Sequence, residues 1–141
     1  MFFYIQKFQL TQNVKKRYSY KDMTHALLII DHGSKRRAAN HMLFDLVKLV
    51  RNASPDILVY GAHMELAEPS IEYGIEWCIA RGATHIIAHP FMLSPGRHAK
   101  EDIPNMVKKV LEKHPHITHF ITDPLGLDDM IVSLILKRSG L

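Results

Sequence analysis

From Ala26 onward, short apolar runs alternate with longer stretches whose apolar residues recur every three or four positions. The first run, Ala26 to Ile30, ends in Asp31-His32-Gly33-Ser34. A short apolar run bounded by turn residues reads as a buried strand. Behind it Ala38, Ala39, Met42, Leu43, Leu46, Val47 and Val50 keep helical spacing, with Arg37, His41, Asp45, Lys48 and Arg51 between them; the pattern predicts a helix over about 36–52. Ile57 to Ala62 is the second strand, after a break at 52–55. Pro69 suits the first turn of a second helix, whose buried positions are Ile71, Ile75, Cys78 and Ile79 and whose end is Gly82. Gly74 inside that helix costs about 1 kcal/mol relative to Ala, which a close helix–sheet contact would explain. Thr84 to Ala88 is the third strand, 90–98 a loop, and 101–113 a helix with Ile103, Met106, Val107, Val110 and Leu111 on its buried face. Ile117 to Thr122 is the fourth strand, and Asp128 or Asp129 caps a last helix with apolar Ile131, Leu134 and Ile135.

The order βαβαβαβα, with right-handed crossovers, predicts a three-layer α/β domain: a parallel sheet of four strands, covered by helices on both faces, a flavodoxin-like βα repeat. All four strands then end along one edge, at Asp31-His32, His63, His89-Pro90 and Asp123-Pro124. Glu65 and Glu68 follow on that edge, and Arg97 and His98 lie on a loop, taken here as mobile, that leaves from it. Open parallel sheets bind ligands there. Residues 1–24 differ in character: Phe2, Phe3, Tyr4, Ile5 and Phe8 precede Lys15-Lys16-Arg17, and Asp22 is the sole acid. A secretory signal has the reverse order of charge and apolar residues. We read 1–24 as a basic, loosely attached extension dispensable for folding, and 25–141 as a single domain.

Composition narrows the chemistry. The charge is +4 with ten histidines neutral, which favours anionic partners but lacks the dense basic face of a nucleic-acid binder. No apolar run approaches bilayer length, so no membrane partner is expected. Cys78 is the one cysteine, which rules out an internal disulfide and an all-cysteine metal site within the chain. It fits a reducing compartment, the cytoplasm, with a plastid as the alternative if the extension is a transit peptide. His-Glu-x-x-His, Gly-x-Ser-x-Gly and the glycine-rich nucleotide signatures are missing, which argues against a zinc protease, an α/β-hydrolase and a nucleotide enzyme. What the edge does hold, imidazoles and carboxylates, ligates divalent metals and exchanges protons near neutrality. Few ligands, spread widely, suit a metal in transit better than one held permanently.

Four motifs occur in order: Asp31-His32-Gly33-Ser34; Ala62-His63-Met64-Glu65-Leu66-Ala67-Glu68-Pro69-Ser70-Ile71; Pro95-Gly96-Arg97-His98 with Asp102-Ile103-Pro104; and Pro124-Leu125-Gly126. Over about 26–138 the chain resembles the short sirohydrochlorin chelatases of the CbiX/SirB type, ferrochelatases of plants and bacteria foremost. The resemblance implies a chelatase-like fold, a homodimer, and insertion of a divalent metal, Fe2+ or alternatively Co2+ or Ni2+, into the anionic tetrapyrrole sirohydrochlorin. The metal is substrate; no permanently bound cofactor is expected, and the cysteine pair that can hold an iron–sulfur cluster in plant-type members has no counterpart here. The family's two key histidines fall on His32 and His98, as metal ligands and proton acceptors, with Glu65 a candidate for metal delivery. Ser34, Lys35, Arg36 and Arg97 are candidates for substrate binding. Ala99 departs from an aromatic often found there. His63 and His89 read as supporting groups, and His114, His116 and His119 as incidental. A tetrapyrrole or metal carrier without catalysis, and a phosphate enzyme built on His32 and its arginines, remain alternatives.

Overall fold

The computed structural model describes residues 23–141. The apolar runs form strands β1 (His25–Asp31), β2 (Leu58–His63), β3 (His85–Pro90) and β4 (Thr118–Ile121). Helix α1 (Arg37–Ala53) joins β1 to β2, and α2 (Ile71–Ala80) joins β2 to β3. A π-helical turn (His98–Asp102) leads into α3 (Ile103–Leu111), and α4 (Asp129–Arg138) follows β4. The sheet order is β2-β1-β3-β4, with every pair parallel. The chain steps from β1 to β2 and then back across β1 to β3. Right-handed crossovers therefore put α1 on one face and α2 on the other. One core joins Leu28, Ile30, Ile86 and Ala88 to Ile75, Cys78, Ile103 and Val107 of α2 and α3. A smaller core joins Ile29 and Val59 to Leu43 and Val47 of α1.

Local chemistry sets the boundaries. Gly74 is where α2 presses on the sheet: a Cβ there would stand 2.8 Å from Leu28 Cδ1 and 3.2 Å from Ala62 Cβ. Gly82, at φ +93°, ends the segment as expected. Asp128 caps α4, its Oδ1 accepting from the Met130 N–H at 2.8 Å. Arg51, in the last turn of α1, donates from Nε and one terminal nitrogen to the Val59 carbonyl on the outer strand β2, at 2.9 and 2.7 Å.

Three expectations need correction. Pro69 lies outside the second helix, because the Ser70 hydroxyl accepts from the Tyr73 N–H at 3.2 Å and takes the cap position itself. The third helix begins before 101, and His98 is the first residue of its π-helical turn rather than part of a loop. Pro104 supplies the reason: its ring crowds the carbonyl four residues back and it has no N–H, so the chain takes the wider turn with the Ile103 N–H reaching His98 O. Finally, α4 contributes no buried residue, so the helices that cover the two faces are α1, α2 and α3.

Candidate functional site

The strand ends do share one edge, and backbone hydrogen bonds fasten the loops that leave it. The Met64 N–H donates to Asp31 O at 2.8 Å, and the Glu65 N–H to His32 O at 3.1 Å. This seam brings the turn after β1 against the loop after β2. Gly33 is required there: its φ is +88°, and a Cβ would fall 1.9 Å from Glu65 O. The seam delivers the Glu65 carboxylate to His32, with Oε1 2.9 Å from Nε2. The other ring nitrogen of His32 lies 3.1 Å from Gly33 O. Both nitrogens thus face oxygens, and a cation arriving between Nε2 and Oε1 would take the place of the bridging proton.

His98 comes from the π-helical turn. Its Nδ1–H donates to Asp102 Oδ2 at 2.8 Å, which leaves Nε2 as the lone-pair nitrogen. The two imidazoles meet edge to face, centroids 4.9 Å apart at 64°. Each is about half exposed, 41% for His32 and 49% for His98. Two imidazoles therefore stand together, each paired with a carboxylate, at a rim open to solvent. Among the described residues, no three histidine, cysteine, aspartate or glutamate side chains converge into a closed metal cage. Such a partial ligand set binds a cation without trapping it.

The remaining candidates lie around this pair. Ser34 is committed to the turn: its Oγ accepts from the Arg36 N–H at 3.0 Å, and its backbone exchanges hydrogen bonds with the Asn40 amide. Lys35, Arg36 and Arg37 are exposed at the start of α1. Arg97 is exposed, with Nε 3.9 Å from both Glu101 and Asp102. His63 is fully buried; its Nδ1 lies 2.6 Å from Asp31 Oδ1, and it packs under Phe44. His89 bonds Thr122 Oγ1 at 2.6 Å, and burial lowers its pKa. His114 pairs with Glu76 at 2.8 Å, far along the chain from this edge. Ala99 is buried, so it offers the rim no stacking surface. Asp102 was quoted in a motif but given no role by the sequence. Its signal is the four-residue spacing from His98, which on a helical turn stacks the two side chains. Lys100 ties this turn to the end of β4 through Asp123, at 2.8 Å.

Comparison with known proteins fits this arrangement. The CbiX family profile matches residues 26–140. The sirohydrochlorin ferrochelatase of Arabidopsis thaliana chloroplasts is 38% identical over 112 residues, 79% of this chain and 50% of that protein. The sirohydrochlorin cobaltochelatase of Sulfolobus acidocaldarius is 30% identical, over 80% of this chain and 88% of that protein. The cobalt complex of the sirohydrochlorin chelatase SirB from Bacillus subtilis subspecies spizizenii superposes with a TM-score of 0.80 at 30% identity, covering 84% of this chain and 50% of that one. The chain spans about half the length of the Arabidopsis protein and of SirB. With the motifs in order, the four-stranded parallel sheet and a profile match over nearly all the described residues, the chain belongs to the CbiX family.

Proposed function

We propose that this chain is a sirohydrochlorin chelatase that inserts a divalent metal into the macrocycle, ferrous iron first and cobalt or nickel as alternatives. The observation that carries the reading is the pair of facing imidazoles, His32 and His98, each backed by a carboxylate on the ligand-binding edge of the sheet. Insertion removes two pyrrole protons and delivers a cation. Neutral imidazoles do both, as ligands and as bases, and Glu65 adds an anionic oxygen beside His32. Lys35, Arg36 and Arg97 carry unburied positive charge near this rim and attract the acidic side chains of sirohydrochlorin. Ser34 shapes the turn that presents His32. The Arabidopsis relative, a ferrochelatase at higher identity than the Sulfolobus cobaltochelatase, supports iron over cobalt. The single buried cysteine fits a reducing compartment, the cytoplasm or else a plastid.

One lobe offers a single open edge, too shallow to enclose a macrocycle. The same reading therefore takes the working unit to be a homodimer.

The test is anaerobic metal insertion into sirohydrochlorin with Fe2+, Co2+ and Ni2+, followed optically. His32→Ala and His98→Ala should each lower turnover by roughly 100-fold, as loss of a ligand or base does. Arg97→Ala should mainly weaken macrocycle binding, measured by fluorescence quenching, and His63→Ala should be milder than either histidine variant. Macrocycle binding with no turnover in the unsubstituted protein would make it a carrier. Near-normal turnover in both histidine variants would remove this site from the reaction.

A further inference from the structure

Helix α4 does not behave as the last helix of a closed lobe. Six of its ten residues are apolar, Met130, Ile131, Val132, Leu134, Ile135 and Leu136. None is buried, and Met130 and Ile135 are 81% and 58% exposed. A short helix that is apolar nearly all round belongs inside a protein, not on its surface.

The same lobe carries a surface of matching character. Cross-strand register places Leu27, Ile87 and Phe120 in one row across β1, β3 and β4, since paired residues of parallel strands point to the same face. Leu27 packs in the α1 core, which identifies this as the α1 face. Helix α1 covers the β1–β2 half of that face. Ile87 is only partly buried and belongs to neither core, so the β3–β4 half lies beyond the reach of α1.

We infer that α4 is an exchanged arm: it seats on the α1-side face of β3 and β4 of a second copy of this chain, and receives that copy's α4 in return. This deepens the pairing proposed above by naming the surface that makes it. Two observations favour a second copy over another occupant. A lobe that owns both the arm and the seat closes a two-fold interface with itself and leaves neither exposed. The area also suffices. The exposed fractions of the α4 side chains correspond to roughly 300 Å2 of apolar surface, from about 60–120 Å2 per fully buried aliphatic side chain. Reciprocal exchange adds a seat of similar size, so each copy loses roughly 600 Å2 of apolar area. At the roughly two-thirds apolar content of homodimer interfaces, that is about 900 Å2 per partner, the size of a stable interface. Helix α4 leaves from the carboxyl edge of β4, the edge that carries His32 and His98, so the exchange anchors the partner next to the site.

The experiment uses the full chain without metal or macrocycle. Light scattering at micromolar concentration should give twice the 16.2 kDa chain mass. Leu134→Glu with Ile135→Glu should give a monomer with an unchanged far-ultraviolet spectrum, because neither side chain is buried within its own lobe. Separately, a chain carrying Ile87→Cys is mixed with one carrying Ile135→Cys and treated with a short bis-maleimide; cross-linked dimer should form in the mixture. A monomeric unsubstituted chain, a glutamate variant that stays dimeric, or a doubly substituted chain that cross-links within itself at monomer mass would each overturn the exchange. These readings do not depend on catalysis, so a dimer closed by α4 that fails to insert metal would count against the chelatase reading and leave the exchange standing.

Discussion

Replacing Gly33 by Ala tests the seam on which the site depends. The backbone at Gly33 is left-handed, φ +88°, which costs a residue bearing a Cβ about 1–2 kcal/mol. The new methyl would also start 1.9 Å from Glu65 O, whereas real Cβ contacts stay beyond 3.0 Å, so the turn and the loop after β2 must part by about an ångström. That parting strains the two hydrogen bonds of the seam, Met64 N–H to Asp31 O and Glu65 N–H to His32 O, each contributing about 1 kcal/mol net. Together these give a destabilisation of about 3–4 kcal/mol, or roughly 10–20 °C in melting temperature for a domain of this size. The 2.9 Å contact between Glu65 and His32 lies across the same seam and should open with it. Thermal melting followed by circular dichroism gives the first quantity. Insertion turnover, assayed well below the variant's melting point, gives the second and should fall by at least about 10-fold with macrocycle binding retained. A variant that melts within two or three degrees of the unsubstituted protein and turns over normally would refute the seam as the element that positions Glu65.

Two further outcomes are expected. Asp102→Ala should lower kcat by about 10–100-fold while macrocycle affinity holds, and Asp102→Asn, which keeps an oxygen acceptor for the His98 Nδ1–H, should restore most of it; equal rates in the Ala variant and the unsubstituted protein would show that His98 orients itself. Burial, with the nearby His25 and His119 charges, pushes the pKa of His85 down from 6.5 to about 4. Between those values the unfolded chain binds a proton that the folded chain refuses, so stability falls as pH drops through that window, by at most about 3 kcal/mol. Urea unfolding at pH 7 and pH 4.5 should show the loss, and His85→Gln should flatten it; an equally steep loss in that variant would assign it elsewhere.

The strands and their shared edge were legible because each strand is a short apolar run stopped by turn residues, and βαβ handedness does the rest. His32 and Glu65 were legible as neighbours for the same reason: parallel register aligns the ends of β1 and β2. The Asp31–His63 pair is a product of that register too, since the two residues are direct cross-strand partners although 32 positions apart. What escaped lies where one residue changes the local geometry or where packing chooses among surfaces. Pro104 widens the turn before it and carries His98 from a loop onto a helical turn, which is also what sets Asp102 behind the imidazole. The periodicity of α4 marks it as apolar but cannot say which surface it meets, and the structure leaves it off both faces of its own sheet.

The guanidinium of Arg51 on the Val59 carbonyl has a consequence for the nascent chain. An outer strand is a template on which a second polypeptide can add, and β2 is one of the two outer strands. Arg51 occupies an outward acceptor of β2 with two hydrogen bonds. Because it sits in the last turn of α1, that acceptor is occupied only once α1 has docked. Docking of α1 and protection of the β2 edge are therefore one event, completed within the first βαβ unit. The opposite edge, β4, relies on brevity: four residues, two of them Thr118 and His119, leave a strand too short and too polar to template much. The half of the sheet made first thus guards itself by a side chain, and the half made last by having little edge to guard.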